Sequence, residues 1–168
     1  MEPELSWLRY RFELFGLSFA IFADEAPAIR MDIRTPATGY FAQTRGELAL
    51  TVSFGPEADL DLGLQQWLSV NAQSYEPIQP RQTIDWNGKV ADQLTLVIIP
   101  PPPAIGYRPG SNGPETILSG PVDPYRLTLI GTKHRDTPVM VTWKQPLSNE
   151  SLYQQAEEYF FASFGFEE

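Results

Sequence analysis

The chain of 168 residues has no cysteine, one histidine, and only 12 Lys and Arg against 21 Asp and Glu. Without cysteine there is no disulfide, no thiolate zinc site, no cysteine nucleophile and no lipidated cysteine. With His134 alone, a triad or a two-histidine metal site is excluded. The formal net charge of −9 leaves no basic face for phosphate contacts, which excludes nucleic acid as a partner, and it disfavours an anionic membrane surface. No apolar run reaches the length of a membrane span. Gly-x-Gly-x-x-Gly, Walker and Gly-x-Ser-x-Gly patterns are missing too.

The carboxylates that remain make no visible site. Asp59-x-Asp61-x-Gly63 places Leu60, Leu62 and Leu64 where a calcium loop keeps polar ligands, so it reads as a helix cap. Asp24-Glu25 and Glu157-Glu158 are adjacent in sequence and point apart. His134 stands in the charged run Lys133-His134-Arg135-Asp136, read as a solvated hairpin tip. A small hydrolase-like enzyme using His134 or scattered carboxylates is the alternative in that class. The expectation is no catalytic residue, no metal and no cofactor.

What the chain does have is aromatic mass: ten Phe, seven Tyr and four Trp, enough to fill one core over 1–168. Leu8, Tyr10, Phe12 and Leu14 alternate as a half-buried strand, followed by Gly16 as a turn and by Leu17, Phe19 and Ile21. The apolar stretch 14–23 imitates a signal peptide, but Glu2, Glu4 and Glu13 flank it where a signal carries positive charge. Ile29, Met31 and Ile33 predict a short strand, 35–46 a polar turn region, and Leu48, Leu50, Val52 and Phe54 a strand. Leu60, Leu64, Trp67, Leu68, Ala72 and Tyr75 form a helical stripe that Pro77 and Pro80 end. Gln82, Ile84 and Trp86 run into Asn87-Gly88, a hairpin turn, and return as a strand to Ile99, covered on both faces.

Prolines 100–103 stop that strand. The segment 104–114 is glycine-rich and aperiodic, and opens no helix, so it is no phosphate cradle. It carries Ile105, Tyr107, Arg108 and Asn112, which make it the candidate partner-binding loop, since Tyr and Arg are common interface anchors. A short edge strand is expected at 116–118. Tyr125, Leu127 and Leu129 then alternate, as do Val139, Val141 and Trp143. The period changes to helical at Leu152, Ala156, Tyr159, Phe160 and Phe164, with Ser148 or Ser151 as cap. Strands, helix, strands, helix, with hairpins throughout, predict an α+β fold: an antiparallel sheet with helices packed on it.

Certain stretches resemble the PsbP-like group, which also holds the bacterial DcrB lipoproteins and a nuclear-transport factor acting on the Ran GTPase. They are Gly16-Leu17-Ser18-Phe19, the hairpin from Ile84 to Leu94, the strand closing on Thr142 to Pro146, and Ser163-Phe164. The resemblance implies an α/β/α sandwich and a non-enzymatic role as an accessory, assembly or chaperone-like binding module. It implies no transferable metal- or Ran-binding residue. The lipidated cysteine and leader of DcrB lipoproteins have no counterpart here, so the expected compartment is the cytoplasm, or the exterior if a leader precedes Met1. A cytoplasmic chaperone for a secreted effector is the alternative within this class. The expected partner is a protein, basic or hydrophobic, met on the 100–114 loop or the open side of the sheet. A homodimer fits an exposed sheet face or edge.

Overall fold

Period-two patterning dictates most of this structure. The computed structural model describes residues 5–34, 37–101, 104–106, 115–117, 123–148 and 150–167. In chain order these form β1 (Trp7–Phe12), β2 (Leu17–Phe22), β3 (Ala28–Asp32), β4 (Thr38–Arg45), β5 (Leu48–Phe54), α1 (Leu60–Asn71), β6 (Ser74–Trp86), β7 (Lys89–Ile99), β8 (Ala104–Gly106), β9 (Glu115–Ile117), β10 (Tyr125–His134), β11 (Thr137–Pro146), α2 (Glu150–Ala162) and β12 (Gly165–Phe166). The main sheet runs β3-β4-β5-β11-β10-β7-β6, a smaller one runs β1-β2-β12, and β8-β9 is a separate hairpin. All pairings are antiparallel. The fold is α+β, as expected.

The β10–β11 hairpin lies at the centre of the main sheet, turning at Arg135 and Asp136, both at positive φ. Its register pairs Thr128 with Trp143 and Leu129 with Thr142. Tyr125, Leu127 and Leu129 therefore face one side, with Met140, while Val139, Val141 and Trp143 face the other. The two alternating sets that look like one apolar face are two, and each is covered. α1 packs on the first through Leu60, Leu64, Trp67 and Leu68. α2 and the small sheet cover the second, where Phe19, Phe22, Phe41, Trp143 and Phe160 are fully buried.

Two glycines set how α1 sits. A Cβ on Gly131 would lie 2.8 Å from the Leu60 Cβ, and one on Gly63 would lie 2.9 Å from the Met140 Cε. The helix thus touches the sheet backbone-close over β10 and β11. Asp59 caps it, accepting from the Asp61 and Leu62 amides at 3.1 and 3.2 Å.

Several expectations are corrected. The region read as polar turn contains β4, whose Gly39, Phe41 and Gln43 are buried. α1 ends at Asn71, well before Pro77 and Pro80, which lie in the edge strand β6; its pairing with β7 shifts register between Pro77, Gln79 and Gln82. Prolines are tolerated there because an edge strand has one side unpaired. Tyr75 belongs to β6 and is half exposed. Ile29 and Met31 lie on β3 and Ile33 just beyond it, all exposed, while Leu8 and Leu14 also face solvent. Leu14 falls in a 3-10 turn, Glu13–Phe15, where alternation no longer applies. Along α2 the buried set is Ala156, Glu157, Phe160 and Phe161, with Leu152 and Tyr159 exposed; Ser151 lies inside the helix and does not cap it. The strand expected at 116–118 is β9, paired with β8 and not with the main sheet.

Candidate binding groove on the open sheet face

Ile105 lies on β8, opposite Thr116; Tyr107, Arg108 and Asn112 lie outside the described residues. His134 is no solvated tip. It ends β10, is 3% exposed, and its Nε2 lies 2.8 Å from the Glu167 carbonyl, with the ring edge-on to Phe166. The chain's C-terminal segment covers what the sequence places in a charged turn. Burial, with Lys89 and Arg135 nearby, holds its pKa below the ordinary histidine value, against the opposing pull of the backbone bond. Glu157 is buried and accepts from Thr128 Oγ1 at 3.0 Å, while Glu158 pairs with Gln154 on the exposed side. Adjacent glutamates point apart, as expected. Among the described residues no group of three or more His, Asp or Glu is placed to hold a metal.

The open side of the sheet is where the structure becomes concave. Because α1 is drawn close over β10 and β11, the same face of β4 and β5 is left without a helix. Its outward residues are small or hydroxylic: Ala42 and Thr44 on β4, Ala49, Thr51 and Ser53 on β5. Thr51 pairs with Thr142 across the ladder, their hydroxyls hydrogen-bonded to each other. Short side chains form a floor, and α1 forms a wall with Trp67, Val70 and Asn71. The cavity enclosed has about 480 Å³. It continues past Tyr40 and Trp67 into one of about 640 Å³ that ends at Arg30 and Asp32. Past Lys144 and Tyr125 it continues into a third of about 360 Å³ beside Asp123 and Pro146. The three share these lining residues and lie in a row along the open face, called the groove below.

Three side chains that line it respond to burial. Burial raises the Tyr40 phenol pKa, with Arg30 acting the other way, and raises that of Tyr125 further. Burial lowers the Lys144 pKa. The Lys144 Nζ stands 4.3 Å from the centroid of the Tyr125 ring, and Trp67 meets that ring edge-on at 6.1 Å. Among the described residues no carboxylate pairs with Lys144. Sequence reading anticipates an open sheet side but none of these residues, because their only signal is the smallness of alternate positions in β4 and β5.

No family model matches the chain, and no curated protein matches it significantly in sequence. Solved structures do. The solution structure of cyanobacterial PsbP (CyanoP) from Synechocystis sp. PCC 6803 aligns over 98% of this chain and 94% of its own, with TM-score 0.59 and 14% identity. A point mutant of the protein Mog1 aligns over 98% of this chain and 97% of its own, with TM-score 0.51 and 9% identity. The protein of unknown function PA94 from Pseudomonas aeruginosa aligns over 90% and 91%, with TM-score 0.43 and 12% identity. At these identities the likeness of the first two is one of fold, and the chain has the PsbP-like fold that its motifs resemble.

Proposed function

We propose that this chain, as one domain over 1–168, is a non-catalytic protein-binding module that seats a segment of a partner protein in the groove between α1 and β4–β5. The observation that carries the reading is the floor of Ala42, Ala49, Thr51 and Thr142 beneath the aromatic walls Trp67 and Tyr40. A solvated sheet face needs no concavity and normally carries long polar side chains, which would fill this one. Here the short residues keep a channel open, lined by a lysine and a tyrosine whose partial withdrawal from water shifts both. Its length, shared among three connected cavities, suits a polypeptide segment better than a compact small molecule, whose sites are single clefts.

A photo-crosslinking residue placed at Val70, on the groove wall and 75% exposed, tests this against one at Leu8, 55% exposed on β1 of the small sheet, which covers the opposite face. Adducts from position 70 that disappear when Ala49→Trp fills the floor are the expected result. Equal labelling from both positions, or labelling indifferent to Ala49→Trp, overturns the reading. A cytoplasmic holder of a secreted effector and an exported accessory subunit are narrower forms of it, separated by cell fractionation. A homodimer through the unpaired edge of β3, where Ile29 and Met31 are exposed, is read by light scattering on wild type and Met31→Lys.

A further inference from the structure

We propose that Lys144 is the recognition point of the groove, and that the segment docking there presents a single carboxylate to its ammonium. The inference rests on the docking reading above. The middle of the groove is otherwise neutral, formed by alanine, threonine and aromatic side chains. Lys144 stands where the central cavity joins the third one, and lines both. It is half-buried, and its Nζ stands 4.3 Å from the centroid of the Tyr125 ring. An ammonium carries three donors, and a ring face engages the charge from one side only. Withdrawing such a group from water is unfavourable unless an anion or acceptors replace the hydration. A methionine would fill the same space over Tyr125 without that cost, and the charge makes physical sense as one half of a pair.

The surroundings fix the other half as one carboxylate, not a polyacidic stretch. Glu47 and Asp123 line the adjoining cavity, and at the far end of the groove Asp32 and Glu57 face a single cation, Arg30, within a chain of net charge −9. A run of acids would be repelled before it reached Lys144, whereas a basic segment bearing one Asp, Glu or terminal carboxylate gains from both the general field and the local cation, and an apolar one from the local cation alone.

A random dodecapeptide library displayed on phage and selected against the full chain provides the probe. Peptides are kept if Ala49→Trp abolishes their binding, and are then resynthesised with the acid changed to its amide. The expected result is one acid in each groove-dependent peptide, about a tenfold or greater loss of affinity on Glu→Gln, and no such loss against Lys144→Met. Exchanging the charges, Lys144→Glu with Glu→Lys in the peptide, restores binding. Lys144→Met itself folds and withstands urea at least as well as wild type, since it removes a half-buried charge. The peptide Glu→Gln comparison on wild-type protein decides the matter even if a variant misfolds. Groove-dependent peptides that need no acid overturn the role of Lys144 and leave the docking reading standing. A library yielding no groove-dependent binder overturns both.

Discussion

Asn87 has two tasks, and the second makes a quantitative test of how α2 is held. In the turn Asn87-Gly88 its φ is 52°, a left-handed conformation that suits Asn and Gly. Its side-chain amide reaches away from the turn and donates to the Phe164 carbonyl at 2.9 Å, with the Phe161 and Ala162 carbonyls at 3.3 Å. Trp86 Nε1 donates to the Phe161 carbonyl at 2.8 Å. The hairpin therefore closes the C-terminal end of α2, whose last carbonyls have no partner within the helix. Asn87→Gly keeps the backbone conformation and removes only the amide. One good hydrogen bond and two long ones at a partly buried site contribute roughly 1–1.5 kcal/mol. Asn87→Ala loses the same bonds and, lacking the tolerance of Asn for the left-handed region, adds about 1–2 kcal/mol. Urea unfolding followed by tryptophan fluorescence should place Asn87→Gly about 1 kcal/mol below wild type and Asn87→Ala about 2–3 kcal/mol below, with unchanged m-values. In a domain of this size the first corresponds to about 2–4 °C in Tm. If Asn87→Gly is neutral while Asn87→Ala is costly, the turn alone matters, and the reasoning about the helix end is wrong.

Other outcomes follow from the same geometry. Gly131→Ala drives a methyl to 2.8 Å from the Leu60 Cβ and should cost about 1–3 kcal/mol by pushing α1 off the sheet; a urea midpoint unchanged from wild type contradicts the close approach. Gln43 is 2% exposed and accepts from the Phe22 amide at 2.8 Å while donating to the carbonyls of Phe22 and Glu25 at 3.0 and 2.8 Å. Gln43→Leu leaves buried backbone groups unpaired and should cost about 2–4 kcal/mol despite raising hydrophobicity; a stabilised variant would show that water already serves them. His134 has a folded-state pKa below its unfolded value of about 6.5. Its neutral form therefore stabilises the fold above that pH, and the stabilisation is lost as pH falls towards the folded-state pKa. Subtracting the urea-derived stability of His134→Phe from that of wild type at each pH should give a difference that declines from pH 7 to pH 5, and a flat difference refutes the burial argument.

The strands legible in the sequence are those whose inward positions are all large and apolar. β5 is the clean case: Leu48, Leu50, Val52 and Phe54 are each buried. β4 is hidden because two of its inward positions do other work. Gly39 is small because the Phe15 ring lies where a Cβ would sit, at 2.8 Å. Gln43 is polar because it must bond the end of β2, which joins the main sheet to the small one. The stripe on α2 is misplaced by about one position for a similar reason. The buried face runs through Glu157, which accepts from Thr128 Oγ1, and a charge in the middle of an apolar stripe shifts the apparent face towards Leu152 and Tyr159. β6 shows its alternation only at its end, Gln82, Ile84 and Trp86; the part before it is exposed throughout, so no periodicity announces it there, and its prolines look like helix terminators.

The groove is illegible for a deeper reason. A concave surface is a statement about absent volume, and sequence patterns report the volume that is present. Ala42, Ala49, Thr51 and Thr142 are unremarkable residues in strands, and they become a floor only because antiparallel register brings Ala42 and Thr51 into one pair and Thr51 and Thr142 into the next. Long side chains at those positions would satisfy every local rule equally well. The wall depends on α1 lying over β10 and β11, which in turn depends on Gly63 and Gly131, nearly 70 residues apart in the chain. Lys144 closes the argument. At an alternating position after Thr142 it reads as the solvent side of a half-buried strand, where lysine is ordinary. Beside Tyr125, half-buried and without a carboxylate among the described residues, it carries an unfavourable desolvation that the fold alone does not require. A pattern that departs from local expectation without a structural return is the kind of departure that binding accounts for, and that is why the cation, more than the aromatic loop at 100–114, marks the surface to test.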